Sequence, residues 1–168
     1  MSNHGQQLQH LRKNTERREW RSIVLRSVKA RRAPFAAELL DIYWIEGGHR
    51  IREQVGDDHA LAAFLRISLT PYRHKAGEPL VLFRGENIDR LRAGRIGFAW
   101  TPSRATAEMF GSGLNAVGRG GVLLRAQFGV EIIAGPCGHS QYLGEEQYTV
   151  DPTPQLDYEV LGEYLPHF

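Results

Sequence analysis

The apolar pattern of this chain changes once, within residues 71–79, and that change limits what the chain can fold into. Ahead of it the spacing is helical. Trp20, Ile23, Val24, Ser27 and Val28 form one stripe. Pro34 serves as the first-turn proline of a second helix that buries Phe35, Leu39, Leu40 and Tyr43 and ends at Gly47-Gly48. Asp57 or Asp58 caps a third helix with the stripe Leu61, Phe64, Leu65 and Leu69, closed by Pro71. Beyond the change, short β-branched or aromatic runs alternate with glycine and proline: Leu80–Arg84, Ile96–Thr101, Gly121–Phe128, Glu131–Ala134, Gln147–Asp151 and Tyr158–Leu161. One later segment, Pro102–Phe110, reads as helix. The expectation is an α+β chain forming a single domain over residues 1–168, with a helical N-terminal lobe (1–75) followed by a mostly antiparallel β-rich core (76–168).

Several function classes drop out at once. A chain of this length buries roughly two-thirds of its unfolded surface, so it needs no metal or disulfide staple. The single cysteine, Cys137, excludes an internal disulfide framework. No metal site is expected, because His49 and His139 lack supporting ligands at helical spacing, and Pro136-Cys137-Gly138-His139 lacks the second cysteine of a zinc deaminase. There is no P-loop motif. The glycines Gly111, Gly113, Gly118, Gly120 and Gly121 do not spell a dinucleotide fingerprint and read as loop or turn. No apolar run approaches the roughly 20 residues of a membrane span, and MSNHGQQLQH does not read as a signal peptide. A cytoplasmic setting with no membrane partner is expected, in the producing cell or in one it enters.

The charge is uneven. Nine Lys/Arg between Arg12 and Arg32 stand against Glu16 and Glu19, so residues 1–32 carry +7. Because the whole chain is +2, residues 33–168 carry −5. Basic residues 12–32 therefore suit an anionic partner such as nucleic acid, although they also read as a solvated helix face.

Three features of the β-rich half remain. Leu80-Val81-Leu82-Phe83-Arg84-Gly85-Glu86 is an apolar strand ending on arginine and glycine. Gly97-Phe98-Ala99-Trp100-Thr101 runs into a helix with Ala107 and Phe110 on its inner face. Gly144-Glu145-Glu146-Gln147-Tyr148-Thr149-Val150-Asp151-Pro152 is an acidic turn entering a strand. Arginine grips phosphate oxygens with a planar fork, and a glycine beside it lets a ligand approach backbone. A carboxylate suits stabilisation of a cationic sugar, as in glycoside cleavage. Each residue also has a plain structural role: Arg84 as an ion-pair partner, Trp100 as core, Thr101 as a helix cap, the acidic residues as solvated turn.

In order and in its Trp-Thr-x5-Ala-x2-Phe phrase, this trio resembles the mono-ADP-ribosyltransferase superfamily, in its arginine–serine–glutamate branch, over about residues 80–152. The resemblance implies NAD as co-substrate and transfer of ADP-ribose to a protein or nucleic-acid acceptor with release of nicotinamide. Arg84 would clamp NAD, helped by Gly85. Ala99, Trp100, Thr101 and Phe110 would line the cofactor site. The catalytic set would be Arg84 and Thr101 with Glu145, Glu146 and Gln147. Such small transferases are often bacterial toxins, effectors or phage-injected modifiers. Two positions depart from the family. Ala99 stands where its first serine falls, and Gln147 stands where its catalytic glutamate directly precedes the apolar run. If Tyr148 and Val150 face the core, Glu145, Gln147 and Thr149 share the cleft side. Either Glu145 or Glu146 then supplies the charge, or the fold is a catalytically degenerate binding module. A basic-arm nucleic-acid binder on a β scaffold is the further alternative.

Overall fold

In the computed structural model, described for residues 3–74, 79–136 and 146–167, the chain is α+β, with its longer helices ahead of its strands. It divides into two compact units, Met1–Arg73 and His74–Phe168, and the division falls inside the stretch where the sequence pattern changes.

The first unit contains α1 (Asn3–Glu16), α2 (Trp20–Ala30), α3 (Ala37–Val55), α4 (Asp58–Ser68) and a 3₁₀ turn at Thr70–Tyr72. Its core centres on Trp20, fully buried and stacked on Tyr43 at 6.0 Å, with Phe64 and Phe35 against its edges. The indole Nε1 donates to Thr15 Oγ1 at 2.8 Å, so the buried ring leaves no orphan donor. Asp57 caps α4, accepting from the Ala60 N–H at 3.1 Å. Helix α1 carries no apolar stripe, since its buried residues are Leu11 and Asn14 alone.

Two expectations about α3 are corrected. Pro34 precedes the helix by three residues instead of opening it. The helix also continues through Gly47-Gly48 to Val55, where Gly56 turns left-handed (φ 66°). Both internal glycines are buried against aromatic rings: a Cβ on Gly48 would lie 2.9 Å from Trp44 Cε3, and one on Gly47 3.1 Å from Tyr43 Cζ. Glycine here is a packing gap, not a stop, and Ile51 and Val55 extend the apolar face beyond it.

The second unit contains β1 (Leu80–Asn87), α5 (Ile88–Arg92), β2 (Ala99–Trp100), α6 (Arg104–Ser112), β3 (Gly121–Phe128), β4 (Ile132–Ala134), β5 (Tyr148–Val150) and β6 (Tyr158–Tyr164). Among the described residues these form two antiparallel sheets of three strands, ordered β1-β3-β6 and β2-β5-β4. One bridge, Phe83 to Thr101, joins them, with N–H···O distances of 2.7 and 2.9 Å. Leu82, Leu124 and Phe128 of the first sheet and Trp100, Ile132 and Val150 of the second share one core. The other face of β1 carries α6. A Cβ on Gly121 would lie 1.6 Å from the Gly111 carbonyl oxygen, so helix and sheet meet backbone to backbone.

Several boundaries differ from expectation: β2 covers only Ala99–Trp100 of Ile96–Thr101, β5 starts at Tyr148 and ends at Val150, and β6 runs past Leu161 to Tyr164. Strand β1 runs on past Arg84 to Asn87, because β3 pairs with it along its whole length, Leu80 opposite Phe128 and Asn87 opposite Gly121. Asn87 caps α5, a short helix that no apolar spacing marks. Helix α6 is Arg104–Ser112, not Pro102–Phe110, and its cap is Ser103, whose hydroxyl accepts from the Thr106 N–H at 3.2 Å.

Candidate functional site

Arg84 lies in the interior of β1, not at a strand end, and alternation sets it on the same face as Leu82 and Glu86. Its Nε donates to Glu86 Oε2 at 2.7 Å and its Nη1 to the Ala99 carbonyl at 2.8 Å. Its Nη2 has no hydrogen-bond partner among the described residues, and the side chain keeps 14% exposure. The guanidinium therefore cross-links β1 to β2 and still presents one edge outward. Gly97 makes room for it, since a Cβ there would fall 2.1 Å from Nη2.

Glu86 holds this arrangement together and carries no role in the sequence reading. It is completely buried. Its carboxylate also accepts from the backbone N–H groups of Asn87 (2.8 Å) and Gly97 (2.9 Å) and stands 3.5 Å from Arg90 Nε. Burial alone raises its pKa. The charge and hydrogen bond of Arg84 and the two backbone donors outweigh that and leave it below the usual value of 4.5. One carboxylate between two arginines leaves a local charge of +1, still attractive to an anion. The signal in the sequence was the Arg-x-Glu spacing, which on a strand puts both side chains on one face.

The other predicted residues divide by burial. Trp100 is 1% exposed, packs edge-to-face on Phe128 at 4.8 Å and donates from Nε1 to the Gly97 carbonyl at 3.0 Å. It is a core side chain that also fixes the β2 approach. Gly85 belongs to the α6 contact: a Cβ would lie 2.2 Å from both the Ala107 carbonyl oxygen and the Gly111 nitrogen. Its missing side chain admits a helix, which corrects the expectation of ligand approach there. Thr101 is 6% exposed and its Oγ1 accepts from the Ser103 N–H at 3.1 Å, so it shapes the turn into α6 without being the cap. Phe110 on α6 and Ala99 on β2 are half-buried.

Around β5 the expected alternation holds. Val150 lies in the core and Tyr148 packs against it, while Thr149 lies opposite Ala99 on the other face. The pairing ends at Trp100 opposite Tyr148, so Gln147 stands directly before the paired residues of β5. Glu146 is exposed, with a left-handed φ of 44°, two residues before the strand. Glu145, Cys137 and His139 lie outside the described residues. His49 is exposed on α3, and among the described residues no group of three metal-ligating side chains occurs. No described helix is long and apolar enough to cross a membrane.

Asn87 is a second structural residue without a marked role in the sequence reading. Its buried Nδ2 donates to the carbonyls of Asn115 (3.0 Å), Val117 (2.9 Å) and Gly120 (3.3 Å). Asn115 in turn donates from Nδ2 to the Gly85 carbonyl at 2.8 Å. The loop after α6 is thereby tied to β1 directly behind Arg84. No protein-family model, curated protein or solved structure matches this chain.

Proposed function

We propose that the chain is an NAD-dependent mono-ADP-ribosyltransferase that modifies a protein or nucleic-acid acceptor. One observation carries the reading: the arginine, the Trp-Thr pair and the acidic turn, far apart in sequence, lie on or directly before three neighbouring strands. Strand β2 bridges to β1 beside Arg84 through Phe83 and Thr101, and it pairs with β5 directly after Glu146 and Gln147.

NAD suits the groups present in kind. The outward edge of Arg84, in a cluster with net charge +1, offers donors to a pyrophosphate. Bound NAD supplies a ribose carbon whose bond to nicotinamide breaks with the electron pair leaving on nicotinamide, while an acceptor nucleophile forms the new bond and loses its proton. The chain's own part is to hold phosphate at Arg84, to set Thr101 and Gln147 beside the ribose, and to bring a carboxylate near its developing charge. Glu146 is the acidic residue of the described turn, and Glu145 is its alternative.

Gln147 directly before β5 favours a second reading, a binding module that holds NAD without transferring it, because an amide orients a hydroxyl but supplies no negative charge. The test is release of nicotinamide and transfer of label from labelled NAD, with the full chain and a cell lysate as acceptor source. Turnover that disappears in Arg84→Ala and in Glu145→Ala or Glu146→Ala supports the transferase. NAD binding without either product supports the module, and absence of binding removes both.

A further inference from the structure

Within the helical unit a groove of about 600 Å³ opens between α1, α2 and the segment that joins α2 to α3. Its volume falls in the ordinary range of small-molecule sites. The side chains lining it have complementary chemistries. Asn14 and Ser27 are buried to 4% and 5% exposure. The Ser27 hydroxyl is occupied, donating to the Arg32 carbonyl at 2.5 Å. The Asn14 side-chain amide has no hydrogen-bond partner among the described residues, yet it lines the groove, so a donor and an acceptor open into it. Among the described residues the one buried side-chain atom without a partner is Ser68 Oγ, so solvent in the groove reaches the Asn14 amide and an entering ligand can replace it.

One wall is aromatic: Phe35, half-buried, with His10 edge-on at 6.5 Å. The rim is basic, with Arg26 and Arg32 against a single Glu19. Neither arginine has an ion-pair partner among the described residues, nor do Lys29 and Arg31 beside them. In the β-rich unit Arg84, Arg90, Arg104, Arg119 and Arg125 each stand within 3.5 Å of a carboxylate, while Arg92 and Arg95 have no such partner among the described residues. The groove between α1 and α3 also differs, since Arg12, Arg18 and Arg50 are balanced there by Glu16, Glu46 and Glu53.

We propose that the groove lined by Asn14, Phe35, Arg26 and Arg32 binds one nucleotide of a single-stranded nucleic acid. An aromatic face takes a base by stacking, an amide reads its hydrogen-bonding edge, and two unpaired guanidinium groups take the flanking phosphates. A duplex keeps its bases stacked inside and does not offer one to a buried amide. The inference concerns binding alone and stands whether or not the chain transfers ADP-ribose.

The test is fluorescence anisotropy with the full chain, without NAD, and a short labelled single-stranded oligoribonucleotide of mixed sequence. The same sequence as a duplex, AMP and inorganic phosphate serve as competitors. Binding to the single strand is expected, displaced by AMP more readily than by phosphate. Phe35→Leu, which keeps bulk and removes the π face, weakens it about tenfold. Arg32→Glu weakens it at least as much and flattens the salt dependence. Arg92→Ala, which removes one positive charge from an exposed α5 residue, changes it less than about twofold. Thermal melts confirm that each variant is folded. Three results overturn the proposal: no binding to the single strand, equal losses in Arg92→Ala and Phe35→Leu, or competition by phosphate as strong as that by AMP. Equal affinity for the duplex identifies a non-specific phosphate surface and overturns it too.

Discussion

Arg84 and Glu86, two residues apart on one strand, form a 2.7 Å ion pair whose carboxylate is closed to solvent. The pair gives β1 a charged centre beside the Leu82, Leu124 and Trp100 core, and it fixes the one arginine on which NAD binding would depend.

Replacing Glu86 by glutamine leaves Arg84 without its counter-ion in a largely buried position. The expected loss of stability is about 3–5 kcal/mol, measured by urea unfolding near neutral pH. Because the folded pKa of Glu86 lies below the unfolded one, its contribution is complete above about pH 4.5 and is lost as pH falls through the folded value. The wild type should therefore lose stability more steeply than Glu86→Gln on going from pH 5 to about pH 3. Parallel acid limbs for the two proteins would contradict this.

Gly85→Ala drives a methyl into the Ala107 carbonyl and the Gly111 nitrogen, both backbone atoms that cannot swing aside. A destabilisation of at least about 2–3 kcal/mol is expected. Thermal unfolding decides it, and a variant as stable as wild type would mean that α6 does not lie on β1 as described.

Trp100→Ala removes the largest side chain shared by the two sheets and should cost about 3–5 kcal/mol, while Trp100→Phe costs less. A tryptophan that served only as a ligand wall would leave the unfolding midpoint in place.

Asn87→Ala unties three carbonyls of the loop after α6. The expectation is a loss of about 2–3 kcal/mol and faster amide hydrogen exchange over residues 113–120. Unchanged exchange in that loop would show that Asn87 does not hold it.

The residue before β5 offers a gain-of-function test. If the proposed transferase reading holds, Gln147→Glu places a carboxylate directly before β5 and should raise nicotinamide release from NAD at least about tenfold. A fall in release would argue that the amide itself is the working group.

Much of this architecture was legible in local pattern. Helical spacing marked α2 and α4, the cap of α4 was narrowed to Asp57 or Asp58, of which the structure uses Asp57, and β3 was bounded correctly by its run of apolar residues. The alternation of Tyr148 and Val150 against Thr149 followed from period two alone. Where local and tertiary demands diverged, the sequence reading failed for identifiable reasons. Gly47-Gly48 has the composition of a helix stop but serves as the hollow for Tyr43 and Trp44, a use visible only once those rings are packed. Gly85 resembles a ligand-facing glycine, yet the atoms that need its space belong to a helix some twenty-five residues further on. Arg84 and Glu86 announced one strand face by their spacing, but what surrounds them is contributed by β2, β3 and the Gly97 backbone. A sequence by itself determines which residues alternate and which recur every turn, because those periods are properties of the backbone. Which alternating face is buried, and against what, was decided by the tertiary structure, because burial depends on partners brought from elsewhere in the chain.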